Sequence, residues 1–233
     1  MSYLEFKPVS KKKFLFNRSG TDQRFKKCLQ ILPMVVSPSY GMYTWPCAPV
    51  LAQYVWHNRQ SFLNRNVLEI GAGTALPGIV AAKCGARVIL SDSGQLPKCL
   101  RICQASREAN GLSGSTNITV TGLTWGLFTP ELLHIGPLDI ILGSDCFYDP
   151  SVFEDILVTV SYLLESNPRA QFVCSYQERA SDWSLDHLLN KWNLSCNRIS
   201  LSEFDADATN IAESNLPGSH TVHVFQITRP TST

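Results

Sequence analysis

Apolar positions along this chain fall into short runs with two different periods, and the runs alternate. Asn66-Val67-Leu68-Glu69-Ile70 and Arg87-Val88-Ile89-Leu90-Ser91 are compact stretches bounded by turn residues, the form of buried strands. Between them Pro77 to about Cys84 reads as a helix, because proline in a first helical turn gives up only an N–H that had no partner. Upstream, Pro46 and Pro49 mark a helix start, with Val50, Leu51, Tyr54 and Val55 on one apolar face to about Asn58. Downstream, Gln95–Asn110 reads as a helix closed by Asn110-Gly111. Strands follow at Ile118–Thr121, Leu138–Ser144 and Ala170–Tyr176, with helices at about Val152–Glu165 and Asp182–Lys191. Leu194–Leu201 and Thr221–Thr228 read as two last strands, a closing antiparallel pair. Strands alternating with helices imply an α/β fold: a Rossmann-like, seven-stranded, mostly parallel sheet with helices on both faces, in a single domain. Residues 1–37 look like a basic N-terminal extension, a short hairpin or a mobile arm, and 38–233 like the domain.

Composition supports a large interior. Of 233 residues 44% are hydrophobic and only 17% charged, against about 25% charged in an ordinary soluble domain. The formal net charge of +1 conceals a split. Residues 1–30 carry eight Lys/Arg and two Asp/Glu, a balance of +6, and the remainder twelve and seventeen, a balance of −5. No apolar run approaches the roughly 20 residues of a membrane span. Lys11-Lys12-Lys13 interrupts any secretory apolar region, so the eight cysteines are expected as reduced thiols. There is no Cys-x-x-Cys; Cys99 and Cys103 would share a helix face, and His220 and His223 would take opposite faces of a strand, so zinc is not expected.

Candidate chemistry concentrates after the first strand of the domain. Gly71-Ala72-Gly73 ends that strand, where open α/β sheets bind ligands, and its glycines let a cofactor approach the backbone. Asp92 ends the next strand and is placed to accept hydrogen bonds from ribose hydroxyls. A dinucleotide fingerprint would need glycine at position 76, where this chain has Leu76; the next glycine is Gly78, behind Pro77. Glu69 is also awkward beside a diphosphate and suits a cationic ligand. S-adenosylmethionine, a nucleoside with ammonium and sulfonium charges, meets these conditions, its amino-acid end near the glycine turn and its ribose on Asp92.

The stretch Val67-Leu68-Glu69-Ile70-Gly71-Ala72-Gly73-Thr74-Ala75-Leu76-Pro77-Gly78 resembles motif I of the seven-strand methyltransferases, in the form used by the methyltransferase-like family 16 group. Tyr43-Thr44-Trp45-Pro46, Leu123-Thr124-Trp125-Gly126 and Ser144-Asp145-Cys146-Phe147-Tyr148 resemble that group's other signatures, and the resemblance runs from about Gly41 to Thr228. It implies the class I methyltransferase fold and a set of roles. Trp45 would approach the cofactor; Gly71, Ala72 and Gly73 would give backbone contacts, and Glu69 is expected among the cofactor-binding residues with them. Asp92 would hold the ribose, Trp125 would lie against the adenine, and Ser144 would meet the methionine end. Asp145 and Tyr148 would position the substrate nitrogen, with Pro150 completing the pattern. Four of these have a plainer alternative: Trp45, Trp125 and Tyr148 as core, and Asp145 as a helix cap near Ser151. Glu178, at the end of the fifth strand, could pair with a guanidinium through parallel hydrogen bonds or form a surface salt bridge.

Methyl transfer is an in-line displacement at an activated carbon, so alignment of a deprotonated nucleophile is the main requirement. The group mostly modifies lysine, but one member that this chain resembles well beyond motif I is associated with arginine methylation of histone H3, in nucleus and cytoplasm. The expectation is therefore an S-adenosylmethionine-dependent protein methyltransferase acting on arginine of histone H3. No double-glutamate loop of the established arginine methyltransferases is present, so lysine of a non-histone protein is the alternative. A cofactor-binding transcription-cofactor module without catalysis and a small-molecule methyltransferase also stand. Expected partners are a basic protein, the histone H3 tail, and a transcription factor; no membrane is expected, and nucleic acid only through the basic arm.

Overall fold

The computed structural model describes residues 12–16, 27–31, 43–181 and 183–230. A hairpin of β1 (Lys12–Phe16) and β2 (Lys27–Ile31) is followed by α1 (Cys47–His57), α2 (Arg59–Phe62), β3 (Asn66–Glu69) and α3 (Leu76–Lys83). Then come β4 (Arg87–Asp92), α4 (Pro97–Ala109), β5 (Ile118–Gly122), α5 (Pro130–Leu133), β6 (Ile140–Ser144) and α6 (Phe153–Ser166). The chain ends with β7 (Gln171–Gln177), α7 (Asp186–Lys191), β8 (Ser195–Ile199) and β9 (Val222–Thr228). Seven strands form one sheet in the order β5-β4-β3-β6-β7-β9-β8. The first five are parallel, and β9 runs antiparallel between β7 and β8. The predicted α/β architecture, the seven strands and the closing antiparallel pair are all present.

Both faces of a parallel sheet are covered, so its strands must be apolar on both sides. Neighbouring residues on β3, β6 and β7 accordingly enter different cores. Val67, Leu142 and Val173 join a core with α1 and α3, whereas Leu68, Ile141 and Phe172 join one with α6. Local chemistry moved two predicted helix starts. Helix α4 begins at Pro97 rather than residue 95, with the proline in its first turn. Helix α7 begins at Asp186, because Ser184 Oγ accepts from Asp186 N (3.1 Å) and keeps residues 183–185 out of the helix.

The leader contains the main departure. Of the two forms expected for it, residues 12–16 and 27–31 take the hairpin. Lys11, Phe25 and Lys26 lie outside the described residues. Phe14 and Phe16, read as part of an extension apart from the core, are fully buried within the α1–α3 core. Phe16 meets Trp56 at a ring separation of 6.4 Å, and Leu15 N donates to Ala212 O (2.8 Å). Alternation along β1 sends both phenylalanines inward while Lys13 stays exposed. Net charge does not register this, because the exposed Lys13 and the two buried phenylalanines occupy opposite faces of the strand. Phe16→Ala should therefore lower stability in urea titration by about 3–5 kcal/mol, as a large core truncation does; a change below about 0.5 kcal/mol would mean the strand is not part of the folded core.

Candidate active site

Strand order reverses between β3 and β6: the chain moves outward through β4 and β5, then returns to the other side of β3. A crevice opens at the carboxyl ends of strands at such a point. There Gly71 and Gly73 adopt φ of +58° and +51°, a region that glycine enters without penalty. Ala72 N donates to Ser91 O (2.9 Å) and Gly73 N to Asp92 Oδ2 (2.8 Å), so the end of β4 clasps the turn. Asp92 Oδ1 accepts from Ser93 N (2.8 Å). Burial raises the Asp92 pKa against the pull of these two N–H groups. A carboxylate offers about four lone-pair sites, so two backbone donors leave it capacity for more.

Trp125 lies over the turn. A Cβ on Gly71 would stand 2.7 Å from its Cζ2, so position 71 excludes a side chain twice, by space and by φ. The following Gly126 is fastened to α6 through its N–H on Thr159 Oγ1 (2.9 Å). Across the turn, Thr44 Oγ1 donates to Thr74 Oγ1 (3.2 Å), which ties the Trp45 segment to the glycine loop.

A cavity of about 760 Å³ fills the crevice. The expected Trp45, Gly71, Ala72, Gly73, Asp92, Trp125, Ser144, Asp145 and Tyr148 all line it. Thr74, Leu96, Cys99 and Arg179 line it as well and had not been singled out. Glu69 and Glu178 do not. Glu178 Oε2 accepts from His223 Nε2 (3.1 Å) on β9, while its neighbour Arg179 takes the cavity side. Adjacent residues of an extended segment point to opposite sides, so only one of the two could enter. His220, weighed earlier with His223, pairs with Gln177 (3.0 Å).

Glu69 is fully buried behind the turn, and its Oε2 accepts from Gly78 N (2.9 Å) near the start of α3. A Cβ on Gly78 would fall 2.4 Å from Glu69 Oε2 and 2.4 Å from Leu90 Cδ2. Close helix–strand packing, which a glycine at position 76 would give a dinucleotide site, is thus supplied by Gly78. Burial pushes the Glu69 carboxyl up to about 8, opposed by the Gly78 bond and assisted by Asp92.

At the end of β6, Asp145 holds a left-handed backbone, φ 56°. Such a conformation costs of order 1–3 kcal/mol when the surroundings must enforce it, somewhat less for Asp than for bulkier residues. Asp145 N donates to Ser175 O (2.8 Å), and Arg179 Nη1 and Nη2 donate to Asp145 Oδ1 and Oδ2 at 2.8 and 2.6 Å. Cys47 Sγ donates to Oδ1 at 3.6 Å; burial, then Asp145, push the Cys47 pKa well up and keep it a neutral donor. Asp145 caps no helix: the turn at 150–152 is capped by Asp149, which accepts from Ser151 N (2.9 Å). Tyr148 stands at 6.4 Å from Trp125, ring to ring.

These residues suit S-adenosylmethionine. The turn has no space for a side chain at Gly71, Asp92 has acceptor capacity at its rim, and Leu96, Cys99 and Trp125 give the cavity an apolar wall for a flat base. Strand order and site define an S-adenosylmethionine-dependent methyltransferase of the class I fold. A putative RNA methyltransferase from Pyrococcus horikoshii has the same fold, with TM-score 0.56 and 11% identity over 86% of this chain and 92% of its own. The chain belongs to the family 16 methyltransferases, described as lysine methyltransferase, whose model matches residues 24–189. It is 52% identical over 211 residues to the histone-arginine methyltransferase METTL23 of Xenopus laevis, covering 91% of this chain and 88% of that protein. The human histone-arginine methyltransferase METTL23 is 54% identical over 186 residues, 80% of this chain and 96% of the relative.

The buried Glu69 makes stability depend on pH with a definite sign. Between its ordinary 4.5 and about 8, the folded state keeps a proton that the unfolded chain has released. Stability should therefore fall as pH rises through that interval, by on the order of 4–5 kcal/mol, and level off above it. Glu69→Gln, which copies the protonated shape, should remove that part of the slope in urea titrations at pH 5, 7 and 9; parallel curves for the two proteins would refute the assignment.

Proposed function

We propose that this enzyme methylates arginine side chains of histone H3. The observation that carries this reading is the extent of similarity to relatives named histone-arginine methyltransferases: 211 residues at 52% identity, more than the family match over 24–189. In this assignment Trp45, the Gly71–Gly73 turn, Asp92, Trp125 and Ser144 hold the cofactor, and Glu69 supports the turn from beneath. When bound, the cofactor supplies a methyl carbon activated by a sulfonium leaving group. The protein's part is alignment and water exclusion. Asp145 orients the cationic side chain, and Tyr148 with Trp125 walls its path to the methyl group. Glu178, engaged by His223, stands outside these roles.

A histone substrate puts the working enzyme in the nucleus, and the same proposal extends to the cytoplasm and to a transcription-factor partner. Residues 1–37 form a basic leader to the domain at 38–233, with β1 packed onto it. The acidic body would attract a basic tail by its field. A second reading, lysine of a non-histone protein, is favoured by the description of the family as lysine methyltransferase.

Two measurements test this. Calorimetry should show S-adenosylmethionine binding weakened at least about tenfold by Gly71→Arg or Asp92→Ala, a loss of about 1.4 kcal/mol or more; unchanged affinity would remove the cofactor assignment. Labelled cofactor with histone H3, followed by mass-spectrometric mapping, should place the methyl on arginine. Label confined to lysine would select the second reading, and firm cofactor binding without transfer to protein would overturn both.

A further inference from the structure

Within the cavity, the carboxylate assigned to the acceptor already holds a guanidinium. Arg179 donates one N–H to each oxygen of Asp145, at 2.8 and 2.6 Å, in a bidentate pair. The Asp145 side chain is 2% exposed and that of Arg179 23%, so the partner that meets solvent is the arginine. Arg179 lies on the irregular stretch between β7 and α7, and its Nη1 also donates to Gln177 O (3.2 Å). Asp145 is the fixed member: its backbone is locked in the left-handed region and its N–H is tied to Ser175.

We propose that Arg179 is the acceptor-specificity residue, an internal guanidinium that an arginine substrate replaces on Asp145. Acceptor binding is then an exchange of partners on one buried carboxylate. The proposal rests on the reading that Asp145 receives the acceptor. Leaving a buried carboxylate without its partner is strongly unfavourable, so Arg179 keeps the site satisfied between turnovers and yields only to a group that does the same. A second guanidinium presents the same planar fork to both oxygens. A lysine ammonium is a compact point charge that does not reproduce the two parallel hydrogen bonds, so the exchange favours arginine over lysine by geometry rather than by charge.

The test uses the full chain saturated with S-adenosylhomocysteine, as wild type, Arg179→Lys and Arg179→Gln. Each is titrated calorimetrically with a basic peptide bearing one arginine and with its lysine-substituted twin. Arg179→Lys weakens the internal competitor while keeping its charge, and it serves should Arg179→Gln not fold. It should bind the arginine peptide at least about tenfold tighter than wild type, with S-adenosylhomocysteine affinity unchanged. The lysine twin should gain less, and in transfer assays the gain should appear as a lower peptide KM rather than a higher kcat. Folded variants that bind the arginine peptide no tighter than wild type would overturn the exchange, as would an equal gain for both peptides. The outcomes separate from those of the histone assignment. If histone H3 arginine is methylated while neither variant tightens binding, the exchange falls and the activity stands; if the affinity pattern holds without any transfer, the exchange stands and the activity falls.

Discussion

Where β3 hands over to α3 the protein has no spare volume, and that shortage organises the crevice. A side chain at Gly78 would collide with both Glu69 and Leu90, so α3 sits unusually close to the sheet. That approach brings Gly78 N within 2.9 Å of the Glu69 carboxylate, which satisfies a donor at the start of a helix that has no side-chain cap of its own. With the helix seated, the residues between must turn through left-handed conformations at Gly71, Gly73 and Ala75. Gly73 then points its N–H at Asp92, and Trp125 closes over Gly71. The cost is a buried carboxyl with a raised pKa, held where a polar residue is otherwise hard to accommodate.

The opposite wall of the crevice is built on strain rather than on close packing. Asp145 keeps a backbone conformation that few residues adopt, and it is over-determined by hydrogen bonds from its own N–H, from Arg179 and from Cys47. Strain concentrated on one carboxylate beside a cofactor turn is consistent with a residue whose direction matters more than its contribution to stability. The neighbouring Cys47 and Cys146 thiols are buried and held neutral, so they pack and donate instead of competing as nucleophiles.

Fold was the more legible half. Period and turn chemistry located every strand of the main sheet, because a strand buried on two faces has to be apolar regardless of its neighbours. The errors arose where a local hydrogen bond or a tertiary contact outweighed periodicity. Ser184 delayed α7, Pro97 delayed α4, and β1 joined the core although its lysines made the leader look detached. The short helices α2 and α5 carry too few residues for a period to appear.

At the site, glycines and aromatic residues were legible because their chemistry allows few alternatives: Gly71, Gly73, Trp45 and Trp125 all came to one cavity. Charged residues were legible only in part: Asp92 and Asp145 reached the cavity, whereas Glu69 and Glu178 did not. Glu69 and Asp92 both end parallel strands beside each other, yet one is sealed behind a helix and the other lines the cavity. Glu178 and Arg179 are consecutive, and only the paths of β6 and β9 decided that the glutamate meets His223 and the arginine meets Asp145. Sequence by itself determined the order of elements, the position of the cofactor turn and the types of residue available there, since these depend on local stereochemistry and on burial of apolar runs. Which charges pair was decided by tertiary structure alone, because an ion pair depends on distances between segments far apart in the chain, and a one-residue change of facing reverses it.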